Sequence, residues 1–210
     1  MSVQQRLEAG IEERDWDAVK AAVEDGADIN APHPGFRFNA SCLLFAIHFG
    51  APLDVLQWLW EQPSTDFRAV NSNGWTAVHY ACWSPETGVS MSHSTAMLRW
   101  LVATVGLDAL QCGTDEYGNQ PLHFAAAYCN LEAVRFLVED CGADANARNG
   151  YNDTPLMYAV KPYCHSERST GYDVVGYLTV TCGVDTTVEA TFVRGGGGGV
   201  YGCLLSYTVL

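Results

Sequence analysis

Gln120-Pro121-Leu122-His123-Phe124-Ala125 decides the reading of this chain, because it comes back. It recurs as Thr76-Ala77-Val78-His79-Tyr80-Ala81 and as Thr154-Pro155-Leu156-Met157-Tyr158-Ala159, with a looser copy at Ser41-Cys42-Leu43-Leu44-Phe45-Ala46. Each copy opens a block that closes on a similar tail, such as Phe136-Leu137-Val138-Glu139-Asp140-Cys141-Gly142-Ala143-Asp144. A repeat this short cannot bury its own hydrophobic face. It stacks on copies of itself and builds a surface rather than a catalytic pocket.

Working outward from the quoted stretch, Ala133, Val134, Phe136, Leu137 and Val138 fall at helical spacing and form one apolar stripe. Gly142 follows and can adopt the left-handed conformation that ends a helix. Asp115, Tyr117 and Gly118 supply turn chemistry ahead of the next helix. Pro121 and Pro155 stand at first helical positions, where a missing N–H costs nothing.

In order and spacing these residues resemble the ankyrin repeat, whose signature is T-P-L-H-x-A at a period of about 33 residues. Gly142-Ala143-Asp144-Ala145-Asn146 and Gly26-Ala27-Asp28-Ile29-Asn30 match the turn that closes such a repeat. The resemblance implies an all-α fold: an ankyrin-repeat solenoid of paired antiparallel helices with hairpin loops, of about five repeats plus a truncated sixth. The array spans 1–194, with repeats at 1–35, 36–70, 71–114, 115–148 and 149–194, a glycine linker at 195–199, and the first helix of an incomplete sixth repeat at 200–210. The signature leucine is carried in turn by Leu7, Leu43, Val78, Leu122, Leu156 and Leu204. Two of the intervals are long, and insertions are expected at Ser84 to Ser94 and at Pro162 to Gly171. The last segment, Tyr201 to Leu210, is apolar and has no partner helix, which fits the N-terminal part of a longer array or a truncated gene product.

At 210 residues and 48% hydrophobic, the chain can bury a sizeable core. The start, Met1 to Arg6, has no apolar core of a signal peptide, so an intracellular, cytoplasmic protein is expected. Phe38 to Leu53 carries no Asp, Glu, Lys or Arg, but Gly50 and Pro52 interrupt it, and no membrane insertion is expected. None of the eight cysteines forms a C-x-x-C pair. Cys42 and Cys203 share one repeat position and Cys141 and Cys182 another, which favours small packing residues over disulfides. The sequons at Asn39 and Asn152 read as turn residues. Net charge is −13, which disfavours nucleic acid as a partner and would steer a basic protein toward the surface.

Catalytic readings find little to stand on. His79 and His123 occupy the signature histidine, and the resemblance implies a structural role for them, bonding to loop backbone. Met157, Leu44 and Leu205 depart from it, so those loops should be less firmly pinned. Cys164-His165 lies in the second insertion, and His93, in the first, meets it only if both insertions fold across repeat four. No metal or other cofactor is expected. The run Gly195 to Gly199 lacks the Lys-Ser/Thr of a phosphate loop and reads as a linker. A non-enzyme is the expectation.

The resemblance implies recognition by the concave face, formed by hairpin tips and the exposed ends of the first helices. Mapping positions repeat by repeat puts Phe38, Trp75, Tyr117 and Tyr151 at tips, and His48, Phe49, Trp83 and Tyr128 near first-helix ends. Arg37, Glu116, Asp153 and Lys161 decorate the same face. Rigid aromatics anchor interfaces well because they bury much area for little entropy. Phe45, Tyr80, Phe124 and Tyr158 share a slot inside the signature and are assigned to the core. The expected function is therefore a protein-interaction module acting as scaffold, adaptor or regulator. The alternative is a targeting domain or fragment of a larger signalling enzyme such as a kinase or ubiquitin ligase.

Overall fold

The computed structural model describes residues 1–35, 37–83, 90–106, 117–160 and 173–184. The second insertion, the glycine run and the segment 200–210 lie outside these residues, as do Glu116 and Lys161. Helices α1 (Val3–Glu13), α2 (Trp16–Glu24), α3 (Cys42–His48), α4 (Leu53–Glu61), α5 (Ala77–Cys82), α6 (Met91–Ala103), α7 (Pro121–Ala127), α8 (Leu131–Arg135) and α9 (Pro155–Ala159) follow in order. α8 runs on through a wider π turn at Phe136–Asp140, and the same turn returns at Tyr177–Thr181 after helical residues 173–176. Among the described residues there is no strand, only an isolated bridge between Pro32 and Ser41.

The helices pack as two rows. Odd-numbered α1, α3, α5 and α7 contact one another in series, and α9 continues from α7. α6 and α8 touch in a second row, and each packs on its own partner, α5 with α6 and α7 with α8. Between the rows lie Leu7, Ile11, Leu43, Leu56, Leu59, Val78, Leu98, Leu101, Leu122, Val134, Leu137 and Leu178, all buried. Each large aliphatic side chain so buried contributes about 1.5–3 kcal/mol, and the row is continuous because every repeat supplies the same positions.

Short polar side chains start the helices. Ser2 Oγ accepts the Gln5 N–H while Gln5 Oε1 accepts the Ser2 N–H, closing a capping box. Asp15, Ser41, Ser90 and Asn130 accept from Ala18, Leu44, His93 and Ala133 in the same way. Ser90 corrects the first insertion: the segment read as 84–94 ends sooner, because Ser90 caps α6 and Met91 to Ser94 form its first turn. That longer helix is tied at its start to both neighbours. His93 Nε2 lies 3.2 Å from the Ala51 carbonyl, and the fully buried Asn130 accepts from Thr95 Oγ1 at 3.2 Å.

The hairpin tips interlock where repeats four and five meet. Gly118 has φ +72°, and a Cβ there would sit 2.9 Å from the Gly150 nitrogen, which itself donates to Tyr117 O at 2.6 Å. Gly142 is also left-handed, at φ +75°, but has open space around it. Gly118→Ala is therefore expected to cost about 2 kcal/mol or more, against about 1 kcal/mol for Gly142→Ala, where only the left-handed backbone is strained. Urea unfolding of both variants checks this, and equal losses would show that the tips do not bear on each other.

Candidate protein-interaction surface

The surface is built on a buried histidine ladder. Thr76 N–H donates to His79 Nδ1 at 3.2 Å, so the ring carries its proton on Nε2, which donates to Asn119 O of the next repeat at 3.3 Å. Gln120, His123 and Asp153 repeat the arrangement at 3.1 and 3.2 Å. Both rings are wholly buried. In repeat five the Met157 sulfur takes over the acceptor role from Thr154 N–H at 3.4 Å, and a thioether has no proton to pass onward.

Asparagines fold the tips. Asn71 Oδ1 accepts the N–H groups of Asn73 and Trp75 while its amide donates to the Tyr80 hydroxyl at 2.9 Å. Asn149 does the same for Tyr151 and Asp153, and its amide reaches Tyr158 and Asn119. Because each asparagine spans a hairpin and a first helix, the tip aromatics stand in fixed register over the helix row.

On this frame the aromatics form a contact row. Phe38 lies 5.9 Å from Trp75, ring centre to ring centre, and Trp75 lies 4.9 Å from Phe124 and 5.4 Å from Trp83, nearly perpendicular to the latter. Trp83 continues to Tyr128 at 6.1 Å. Further along the tips Tyr117 and Tyr151 stack at 5.5 Å and 24°. Phe38, Tyr117 and Tyr151 are the open members, at 42%, 39% and 57% exposure, while Trp75, Trp83 and Tyr128 are half-buried. Asp153 is half-buried and its carbonyl receives His123. The backbone of Arg37 lies in the tip of repeat two.

Two expectations change here. His48 is buried rather than exposed at the helix end: Phe45, Phe49, Tyr80 and Trp83 surround its ring, with Trp83 at 4.3 Å. Conversely Phe124 and Tyr158, assigned to the core, are half-exposed, whereas Phe45 and Tyr80 are buried. The difference follows the neighbour: the bulky pair His48 and Trp83 covers Phe45 and Tyr80, while repeat four has the small Ala127 at that position. Sequence reading also passed over Glu12 and Glu13, both exposed, at the repeat positions of His48 and Phe49. Counting from Leu7 would have found them. Arg14 beside them lays its guanidinium over the Phe49 ring at 5.4 Å.

The thiols are mostly packing groups. Cys42 is fully buried, and burial, with Glu8 and Asp28 adding to it, pushes its pKa up to about 12, so no thiolate is on offer. Cys129 departs from that pattern, since it is disulfide-bonded. It also sits at φ +55° in the turn where repeat two has Gly50 at φ +75°. Among the described residues no group of three or more His, Cys, Asp or Glu is arranged to hold a metal, and no helix is long and apolar enough to cross a membrane.

Paired helices stacked in register, with turns locked by buried histidines, define a helical repeat protein. The family pattern for ankyrin repeats, three copies long, matches residues 43–149 and 88–190, and the chain belongs to the ankyrin-repeat family. The family's repeats generally serve as protein–protein interaction modules. A putative ankyrin repeat protein of Fowlpox virus (strain NVSL) is 47% identical over 47 residues, 22% of this chain and 24% of its own length. A transient receptor potential cation channel subfamily A member 1 homolog of Caenorhabditis elegans is 31% identical over 108 residues, 51% of this chain and 8% of its own. The chain thus spans about a quarter of the first relative and under a tenth of the second.

Burial, aided by the nearby Arg14 charge, lowers the His48 pKa to about 4 from 6.5. The ring is neutral in the fold, whereas the unfolded chain takes up a proton below about pH 6.5, so stability is full above that and falls as pH drops toward 4. Between pH 7 and 5.5 the loss due to His48 should be about 1 kcal/mol. Urea midpoints of wild type and His48→Gln at both pH values test it: the variant should lose less, and parallel losses would remove His48 from the account.

Proposed function

We propose that this chain is a protein-interaction module, a scaffold, adaptor or regulator without enzymatic activity of its own, that binds its partner through the concave ankyrin face. One observation carries the reading: a row of aromatic rings in mutual contact, open or half-open, on tips and first-helix ends held rigid from below. Side chains already fixed by packing lose little entropy on binding, which is what an interface anchor requires. The excess of acidic residues favours a basic partner and disfavours nucleic acid.

A second reading makes the array the targeting segment of a larger signalling protein. It is favoured by the small share of each curated relative that the chain spans. Both readings place the partner on the same face.

Affinity capture with mass spectrometry should therefore compare wild type with two folded variants, Tyr117→Ala with Tyr151→Ala at the tips, and Trp83→Ala with Tyr128→Ala on the helix row. Proteins held by the wild type and lost about tenfold or more by either variant support the face, since anchors of this kind contribute about 2 kcal/mol or more each. An unchanged set of captured proteins would move the binding surface elsewhere.

A further inference from the structure

The interlocked hairpins restrict how a partner can lie on this face. Their backbone is already occupied: Asn71 and Asn149 accept the N–H groups around the tips of repeats three and five, Ser72 N–H donates to Phe38 O at 2.8 Å, and Gly150 N–H to Tyr117 O. Among the described residues no strand edge remains for a partner to extend, and addition of a strand needs one. What the face presents instead is ring surface, with its open members Phe38, Tyr117 and Tyr151 all aromatic.

A polyproline II segment suits such a surface. It needs no backbone partner, since its own N–H and C=O groups stay in water, and its proline rings stack on aromatic side chains. Its period also fits. Stacked helices lie about 8–10 Å apart, and three polyproline residues rise about 9 Å, so every third residue returns the same face to the next repeat. Charge selects what flanks it. The chain carries −13 overall, and where the first-helix row begins the exposed Glu12 and Glu13 outnumber the one Arg14 cation beside them, which lies over Phe49.

We infer that the occupant of the aromatic face is an extended, proline-rich segment bearing Lys or Arg at its flanks, running along the stack with about three residues per repeat. The inference rests on the concave-face reading and names the chemistry of its partner.

The test is fluorescence anisotropy with a labelled peptide of repeated Pro-Pro-Ala triplets flanked by Arg-Arg. It is compared with a Gly-Ser-Ala peptide bearing the same flanks and with the proline peptide flanked by Glu-Glu. The Arg-flanked proline peptide should bind about tenfold tighter than either control, weaken with salt, and weaken about fivefold or more on Trp83→Ala and on the exposed Tyr151→Ala, the latter guarding against misfolding of the former. Equal binding of the flexible peptide would reduce the interaction to charge and overturn the inference. So would the absence of proline-peptide binding by a protein that still captures a partner through the aromatic strip, which would leave the concave-face reading standing. Tight binding untouched by both substitutions would overturn the inference and place the peptide off this face.

Discussion

A solenoid of short repeats survives only if each repeat is held to the next, and from repeat three to repeat five the buried imidazole is the tie. His79 receives a proton bond from its own helix start through Nδ1 and passes one to the following hairpin through Nε2, so one ring satisfies donors and acceptors of two repeats at once. Leaving any of those groups unmet in the interior would cost about 1–3 kcal/mol. The direction of the proton is set by the first bond, which fixes the tautomer and hence the second. The tips stand where they do because Asn119 and Asp153 offer their carbonyls to these rings.

The second helix row is joined by charge and ring stacking as well as by the buried Thr95–Asn130 hydrogen bond. Arg99 lies 4.4 Å from the centre of Phe136 in the next repeat and 3.5 Å from the Asp140 carboxylate. One repeat on, Arg135 lies over Tyr177, whose hydroxyl donates to Glu139. Burial and that bond to a carboxylate raise the tyrosine pKa. These contacts are partly exposed and each is worth about 1 kcal/mol. They hold orientation more than they hold the fold, which the apolar row between the helices supplies.

The repeat pattern was legible because it is local. Ser41, Thr154, Pro121 and Gly142 announce helix starts and ends through their own stereochemistry, and the register of Leu7, Leu43, Val78 and Leu122 follows by counting. The face was legible only in part, because exposure depends on the neighbouring repeat. Phe45 and Phe124 occupy one sequence position, yet His48 and Trp83 close over the first region while Ala127 leaves the second half-open. His48 went wrong for the same reason: at the end of an isolated helix it would face water, but rings of its own and the next repeat enclose it. Ser90 shows a different limit. A capping serine inside what counts as surplus length cannot be told from a loop serine until the helix behind it is seen.

On the proposed reading the aromatic strip is both structure and surface, and its ring contacts are compatible with one set of rings serving both. Trp75 meets Phe124 and Trp83 edge to face, a contact that fixes a ring without stacking it flat against its neighbour. A ring held this way loses little side-chain entropy if a partner covers it. The same arrangement limits what can be changed: substituting Trp75 removes a packing partner from Phe38, Tyr80, Trp83 and Phe124 together. Tyr151, most exposed of the strip and stacked on Tyr117, carries little of that burden. The tips can therefore be varied while the indoles beneath keep their register.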